Sequence, residues 1–281
     1  MKTSPISTSP GRCNNPDAAA FTLLDLLTVV AVLVVLALLV LPALARTQPD
    51  SRAFQCLNNL SQMSRAWRMY ADDNNDLLLA SLQDNSITAQ KRTNWCTGNL
   101  DFSGAPSNWN VEQDIAKSPL MPYIGKNSFA IWKCPADLAT VPVGGKRLPR
   151  VRSISMNEAF SFGGWLPSST YRVYGKTAQI GNPSQTFVFT DEHPDSINDG
   201  NLSVQMAPPG AATAQIIDFP ASYHDGACGM SFADGHSENH KWIGLKIKPP
   251  VTYTGTMPLN VPAGDSVPDV IWLSGVTTVR K

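Results

Sequence analysis

The sequence predicts an α+β fold: a long N-terminal helix, membrane-spanning in its first half, packed on an antiparallel sheet with loop-rich insertions. Three observations carry this. An uncharged apolar run extends from Leu26 to Ala45, about the 20 residues that a helix needs to cross ~30 Å of hydrocarbon. Ala53, Cys56, Leu57, Leu60, Met63, Trp67 and Tyr70 then recur at three- and four-residue spacing, an apolar stripe on one helix face. Strand and turn signals gather in the second half, around Thr186–Asp191 and on either side of Asp234-Gly235.

Composition narrows the function. The chain has 281 residues, and 22 Lys+Arg balance 22 Asp+Glu. No global basic field exists, so nucleic acid is not an expected partner. A hydrophobic fraction of 43% excludes wholesale disorder, while 22 Pro and 19 Gly make the chain loop-rich.

Residues 1–20 are polar and carry Lys2, Arg12 and Asp17. The apolar segment 21–45 is longer than the core of a secretory signal peptide, and Arg46-Thr47-Gln48-Pro49 follows it instead of a small-residue cleavage site. It therefore reads as a membrane helix. Asp25 lies inside its start, where an ionised carboxylate is costly and needs a partner. Lys2 and Arg12 before the span balance Arg46 and Arg52 after it, so charge leaves the orientation open. Asp50-Ser51 caps the amphipathic continuation over 46–76, which Asp72-Asp73-Asn74-Asn75-Asp76 ends. Residues 77–150 read as loops with short helices or strands. Val151–Met156 and Thr186–Asp191 read as strands. Gly229–Ala233 and His236–Trp242 form a hairpin about a two-residue Asp-Gly turn, and Asp269–Leu273 is a final strand. No internal repeat is present.

Ala19-Ala20-Phe21-Thr22-Leu23-Leu24-Asp25-Leu26-Leu27 resembles the type IV prepilin cleavage and methylation signal, with Pro42 at mature position 22, where such proteins carry a helix-kinking proline. That family usually has Gly in place of Ala20 and Glu in place of Asp25. The resemblance extends through Cys56-Leu57-Asn58-Asn59-Leu60, Trp67–Asn74, Cys134-Pro135-Ala136-Asp137, Arg152–Asn157, Asp191–Gly200 and Ser231–His236. His224 with Asp234-Gly235 fits the His-x9-Asp-Gly signature of a bacterial pilin-like subgroup.

The resemblance implies a pilin-like fold with a leader over 1–20, an assembly helix over 21–45, its continuation over 46–76 and an extracytoplasmic domain over 77–281. It implies cleavage between Ala20 and Phe21 by a prepilin peptidase, methylation of the Phe21 amine, and pairing of Asp25 with a neighbouring subunit's amine. The chain is then a single-pass protein of the cytoplasmic membrane, with its C-terminal domain in the periplasm or on the cell surface. Its partners are the membrane, other pilin-like subunits and a platform of type II secretion or type IV pilus-like type. It is expected to be a structural subunit and not an enzyme.

Two clusters of ligand-bearing residues stand out. Asp191, Asp195, Asn198 and Asp199 supply the oxygen donors that calcium prefers, and some pseudopilins hold calcium in a C-terminal loop. Otherwise no cofactor is expected. The other reading of these residues is a solvated loop whose Asp and Asn side chains cap turns. His224, Asp234 and His236 form a weaker zinc candidate, since no short His or Cys ligand spacing accompanies them. No Gly-x-Ser-x-Gly elbow supports a hydrolase. Cys13 leaves with the leader, and Cys56, Cys96, Cys134 and Cys228 allow three pairings. The resemblance favours Cys56–Cys134, because both lie in its stretches, which leaves Cys96–Cys228. An alternative function is a membrane-tethered surface domain that stacks carbohydrate or another ligand on Trp95, Trp109 and Trp165.

Overall fold

The computed structural model describes residues 23–82, 92–125, 127–161, 165–255 and 257–281. The chain divides into two compact units, Met1–Thr47 and Gln48–Lys281. The cleavage-site residues Ala20 and Phe21 lie outside the described residues. Helix α1 covers Leu23–Asp73. Among the described residues no helix is long and apolar enough to cross a membrane. The expected membrane-spanning first half, and the single-pass placement drawn from it, are corrected accordingly.

Within Gln48–Lys281 the stripe on α1 becomes core. Cys56, Leu60, Met63, Ala66, Trp67 and Ala71 are all buried, because their spacing keeps them on one face. Short pieces follow: α2 (Pro106–Trp109), α3 (Met121–Ile124) and a hairpin of β1 (Thr140–Val143) with β2 (Lys146–Pro149). Gly144 and Gly145 turn this hairpin with φ of +54° and +79°, the double left-handed turn that glycine favours.

The central sheet contains β3 (Ile154–Asn157), β4 (Phe187–Asp191), β5 (Asn201–Leu202), β7 (Ala227–Phe232) and β8 (Ser237–Lys241), in the order β5-β3-β4-β7-β8. A small pair, β6 (Gln215–Ile216) with β9 (Val261–Pro262), lies apart from it. The sheet is mixed, not antiparallel as expected: β5 runs parallel to β3. β4 ends opposite the start of β3, with Asp191 facing Ile154. Residues 192–200 then pass that end, and β5 returns along the far edge of β3. A hairpin-only reading cannot foresee this one-strand skip.

The strand alternation separates two apolar clusters. Cys56, Leu60, Trp67, Trp95, Trp132, Ile154 and Phe189 belong to one. Cys228, Met230 and Phe232 of β7 belong to the other, with Trp242, Val270 and Leu273. The last two lie on α4 (Val267–Thr277), which replaces the expected final strand. The cause is visible in its residues: Pro268 suits a first turn, and buried Val270, Leu273 and Val276 recur every three residues. The β7–β8 connection has four residues, Ala233 to His236, not two. Phe232 and His236 close it through the Phe232 N–H to His236 carbonyl bond at 2.9 Å, and Gly235 takes a φ of +97°.

Beyond the end of β3, Glu158 is fully buried. One carboxylate oxygen accepts the Val204 N–H at 2.7 Å, and the other has no partner. Burial pushes its pKa up from 4.5 to about 8, against the pull of that hydrogen bond. Because the folded pKa lies above the unfolded one, the stability held below about pH 4.5 is lost as pH rises towards 8. Glu158→Gln should therefore flatten the pH dependence of urea unfolding between pH 5 and 8 by on the order of 2 kcal/mol relative to wild type. Parallel pH profiles of the two proteins would refute this.

Candidate functional site

Four side chains from distant parts of the chain converge beneath α1. Cys56 comes from the buried face of α1, Cys134 from the coil after the turn Phe129–Trp132, Asp191 from the last position of β4, and His224 from the turn before β7. One ligand atom of each lies within 4.8 Å of every other. Cys56 Sγ donates to Asp191 Oδ2 at 2.6 Å. Cys134 Sγ lies 3.4 Å from His224 Nε2, and that nitrogen lies 3.9 Å from Asp191 Oδ2. All four residues are buried.

Local geometry explains how each arrives. The Ser153 hydroxyl accepts the Cys134 N–H at 2.8 Å, and Cys134 Sγ accepts the Ala136 N–H at 3.4 Å. His224 sits on a tight turn in which Asp225 and Gly226 have φ of +55° and +78°. The turn closes with reciprocal bonds between His224 and Ala227, both 3.2 Å. Gly229 of β7 provides the space: a Cβ there would stand 2.7 Å from Leu60 Cδ1 and 2.9 Å from Cys56 Sγ.

The electrostatics are those of donors without a countercharge. The neighbouring Cys134 thiol, burial and the Asp191 charge together push the Cys56 pKa well up. The hydrogen bond to Cys56 pulls the Cys134 thiol down, yet burial and Asp191 leave it raised. Burial pushes Asp191 up to about 7 despite hydrogen bonds from both thiols, and its Oδ1 has no hydrogen-bond partner. Burial lowers the His224 pKa, which favours the neutral imidazole.

The expected calcium ligands do not assemble. Both Asp195 oxygens are occupied by backbone: Oδ2 accepts from Thr252 at 2.7 Å and Tyr253 at 3.1 Å, and Oδ1 from Thr254 at 2.7 Å and Gly255 at 2.9 Å. Asn198 caps Asp199 at 2.6 Å, and Asp199 caps Asn201 at 2.8 Å. Asp191 turns instead towards the cysteines. The weaker zinc set separates as well. Asp234 pairs with His236 Nδ1 at 2.6 Å on an exposed turn, and Gly235 shapes that turn. Of the signature residues, His224 alone joins the cluster.

The expected disulfides are not formed: Cys56, Cys96, Cys134 and Cys228 are free thiols. Cys56 and Cys134 are neighbours but share their site with Asp191 and His224. Cys96 and Cys228 belong to different apolar clusters, and the Thr190 hydroxyl contacts Cys228 Sγ at 3.7 Å. Trp95 is buried and stacked on Trp132 with ring centroids 5.3 Å apart, so it offers no surface for a sugar. The Asp25 carbonyl accepts the Thr28 hydroxyl at 2.8 Å. Pro42 falls within α1.

Sequence reasoning found all four cluster residues but divided them among three separate ideas. Their positions, 56, 134, 191 and 224, share no short-range spacing that would reveal a common site. No known family, curated protein or solved structure matches the chain.

A second feature lies in the unit Met1–Thr47. The described side chains from Leu23 to Leu38 are exposed on every face of the helix, with Leu23 at 80% and Leu33 at 59%.

The buried middle of β7 and the exposed turn after it should respond unequally to mutation. Gly229→Ala drives a methyl group against the buried Leu60 and Cys56 side chains and should cost about 1–3 kcal/mol in denaturant unfolding. His236→Ala removes the exposed pair with Asp234 and the stacking of its ring on Phe232, with centroids 4.4 Å apart, and should cost less, within about 1 kcal/mol. Equal effects of the two would contradict the close approach at Gly229.

Proposed function

We propose that this chain is a pilin-like (pseudopilin) structural subunit that assembles with further copies of itself through its N-terminal helix. In this reading a prepilin peptidase removes residues 1–20, and the assembly belongs to a type II secretion or type IV pilus-like system. The observation that supports it is the helical stretch from Leu23 to Leu38, apolar but for Asp25 and Thr28 and exposed throughout its described side chains. A helix apolar all round is stable in water only when covered. The same stretch on a second copy is a chemically matched cover, because its Leu and Val side chains interdigitate and Asp25 is the one charge that must be paired. Asp25, near the free end after processing, then pairs with the amine of a neighbour's Phe21. The subunit's work is assembly, not turnover. The carbohydrate reading is weaker, because Trp95 is a core residue.

Sedimentation of the purified full chain should show assemblies far larger than one chain. Leu27→Asp combined with Val34→Asp, two positions two turns apart on the helix, should return it to monomers with unchanged near-ultraviolet circular dichroism. A monomeric wild-type chain would refute assembly through this helix. N-terminal sequencing of the protein from its native source should begin at Phe21, and an intact Met1 would refute the processing step.

A further inference from the structure

We infer that Cys56, Cys134, Asp191 and His224 are the four ligands of a structural zinc ion within the unit Gln48–Lys281. The donor set suits zinc on three counts. Thiolate, imidazole and carboxylate are its customary ligands, whereas two thiols exclude calcium and magnesium. Metal–ligand bonds of about 2.0–2.3 Å in a tetrahedron place neighbouring donor atoms roughly 3.5 Å apart. The contacts of 2.6, 3.4 and 3.9 Å bracket that value. Four protein ligands also close the site, which is the structural and not the catalytic form.

The surroundings point the same way. Buried carboxylates and thiols need either a proton or a cation, and no Lys or Arg forms an ion pair with Asp191 among the described residues, where its recorded partner is His224. Asp191 Oδ1 is left without a hydrogen bond although the residue is fully buried, a cost that a metal beside the carboxylate offsets. Cys134 Sγ already accepts a backbone N–H, from Ala136 at 3.4 Å, a contact that strengthens as the sulfur becomes a thiolate. A surface cleft lined by Gln55, Asn59, Lys133, Cys134 and Asp137 borders one of the ligand residues. On binding, zinc takes up the Cys56 and Cys134 thiolates, the Asp191 carboxylate and a neutral His224 nitrogen. Both thiol protons leave to solvent, and no bond is oxidised. The ion ties α1 to the end of β4, to the coil after Trp132 and to the turn before β7.

The test uses the full chain without a histidine tag, purified with zinc in the medium and analysed by elemental mass spectrometry. One zinc per chain is expected. Cobalt exchanged into the wild-type chain should give an intense thiolate-to-cobalt charge-transfer band with tetrahedral d–d bands. Cys134→Ser should weaken metal affinity at least ~10-fold and lose part of the charge-transfer band, while Cys96→Ser, outside the site, should keep both signals. Folding is checked for each variant by Trp fluorescence, and the cobalt spectrum of the wild-type chain stands as a readout that needs no variant. A folded wild-type chain that takes up neither zinc nor cobalt would overturn the inference. So would a Cys56–Cys134 disulfide found by peptide mass spectrometry in the natively isolated protein.

Discussion

The close approach of α1 to β7 is the constraint on which the rest of the globular unit depends. It exists because position 229 carries no side chain, so that Leu60 and Cys56 lie where any Cβ would stand. The contact is then fixed in register by polar bonds. Ser64, one turn beyond Leu60, donates to the Phe232 carbonyl at 3.0 Å, and Cys56, one turn before it, reaches Asp191. A helix seated one turn along would keep its apolar stripe on the sheet but lose both bonds. Burial thus brings the helix to the sheet, and hydrogen bonds select the seat.

The acidic segment 192–200 illustrates how buried polar groups can organise a loop without a ligand. Arg150 donates to the Pro194 carbonyl and Arg152 to the Asp199 carbonyl, both at 2.8 Å. Each guanidinium also stacks over an aromatic ring, Phe102 at 4.8 Å and Trp95 at 5.6 Å. Asp195 meanwhile binds four successive amides of 252–255. These amide bonds hold its pKa low against the opposing effect of burial. Residues that look like a calcium loop in one dimension are therefore used up as fasteners between segments.

What could be read from sequence follows the range of the interaction responsible. The stripe from Cys56 to Tyr70, strand β4 and the hairpin around Asp234-Gly235 depend on neighbours within a few residues, and they were legible. The Gly144-Gly145 turn of the β1–β2 hairpin is an equally local signal. Asp269–Leu273 was misassigned because Val, Ile, Trp and Leu in a row fit either period, and Pro268 was the deciding residue. The parallel β5, the burial of Trp95 and the convergence of Cys56, Cys134, Asp191 and His224 depend on chain segments tens of residues apart. No local pattern encodes them. The apolar run from Leu26 was legible as apolar but not in consequence: no described helix is long and apolar enough to cross a membrane.

The position of Cys56 links these observations. Among the described residues it is the first fully buried side chain along α1, since Arg52, Phe54 and Gln55 are exposed and Ala53 is half-buried. A helix entering a core frays from its first anchored residue, because hydrogen bonds before that point gain nothing from packing. Cys56 fastens the helix here to the end of β4 through its bond to Asp191, and a zinc ion shared with Cys134 and His224 would extend that fastening to the coil after Trp132 and the turn before β7. Leu or Val there would bury more surface but would bind only what it touches. A small donor at position 56 thus keeps the helix seated where Gly229 leaves room for it.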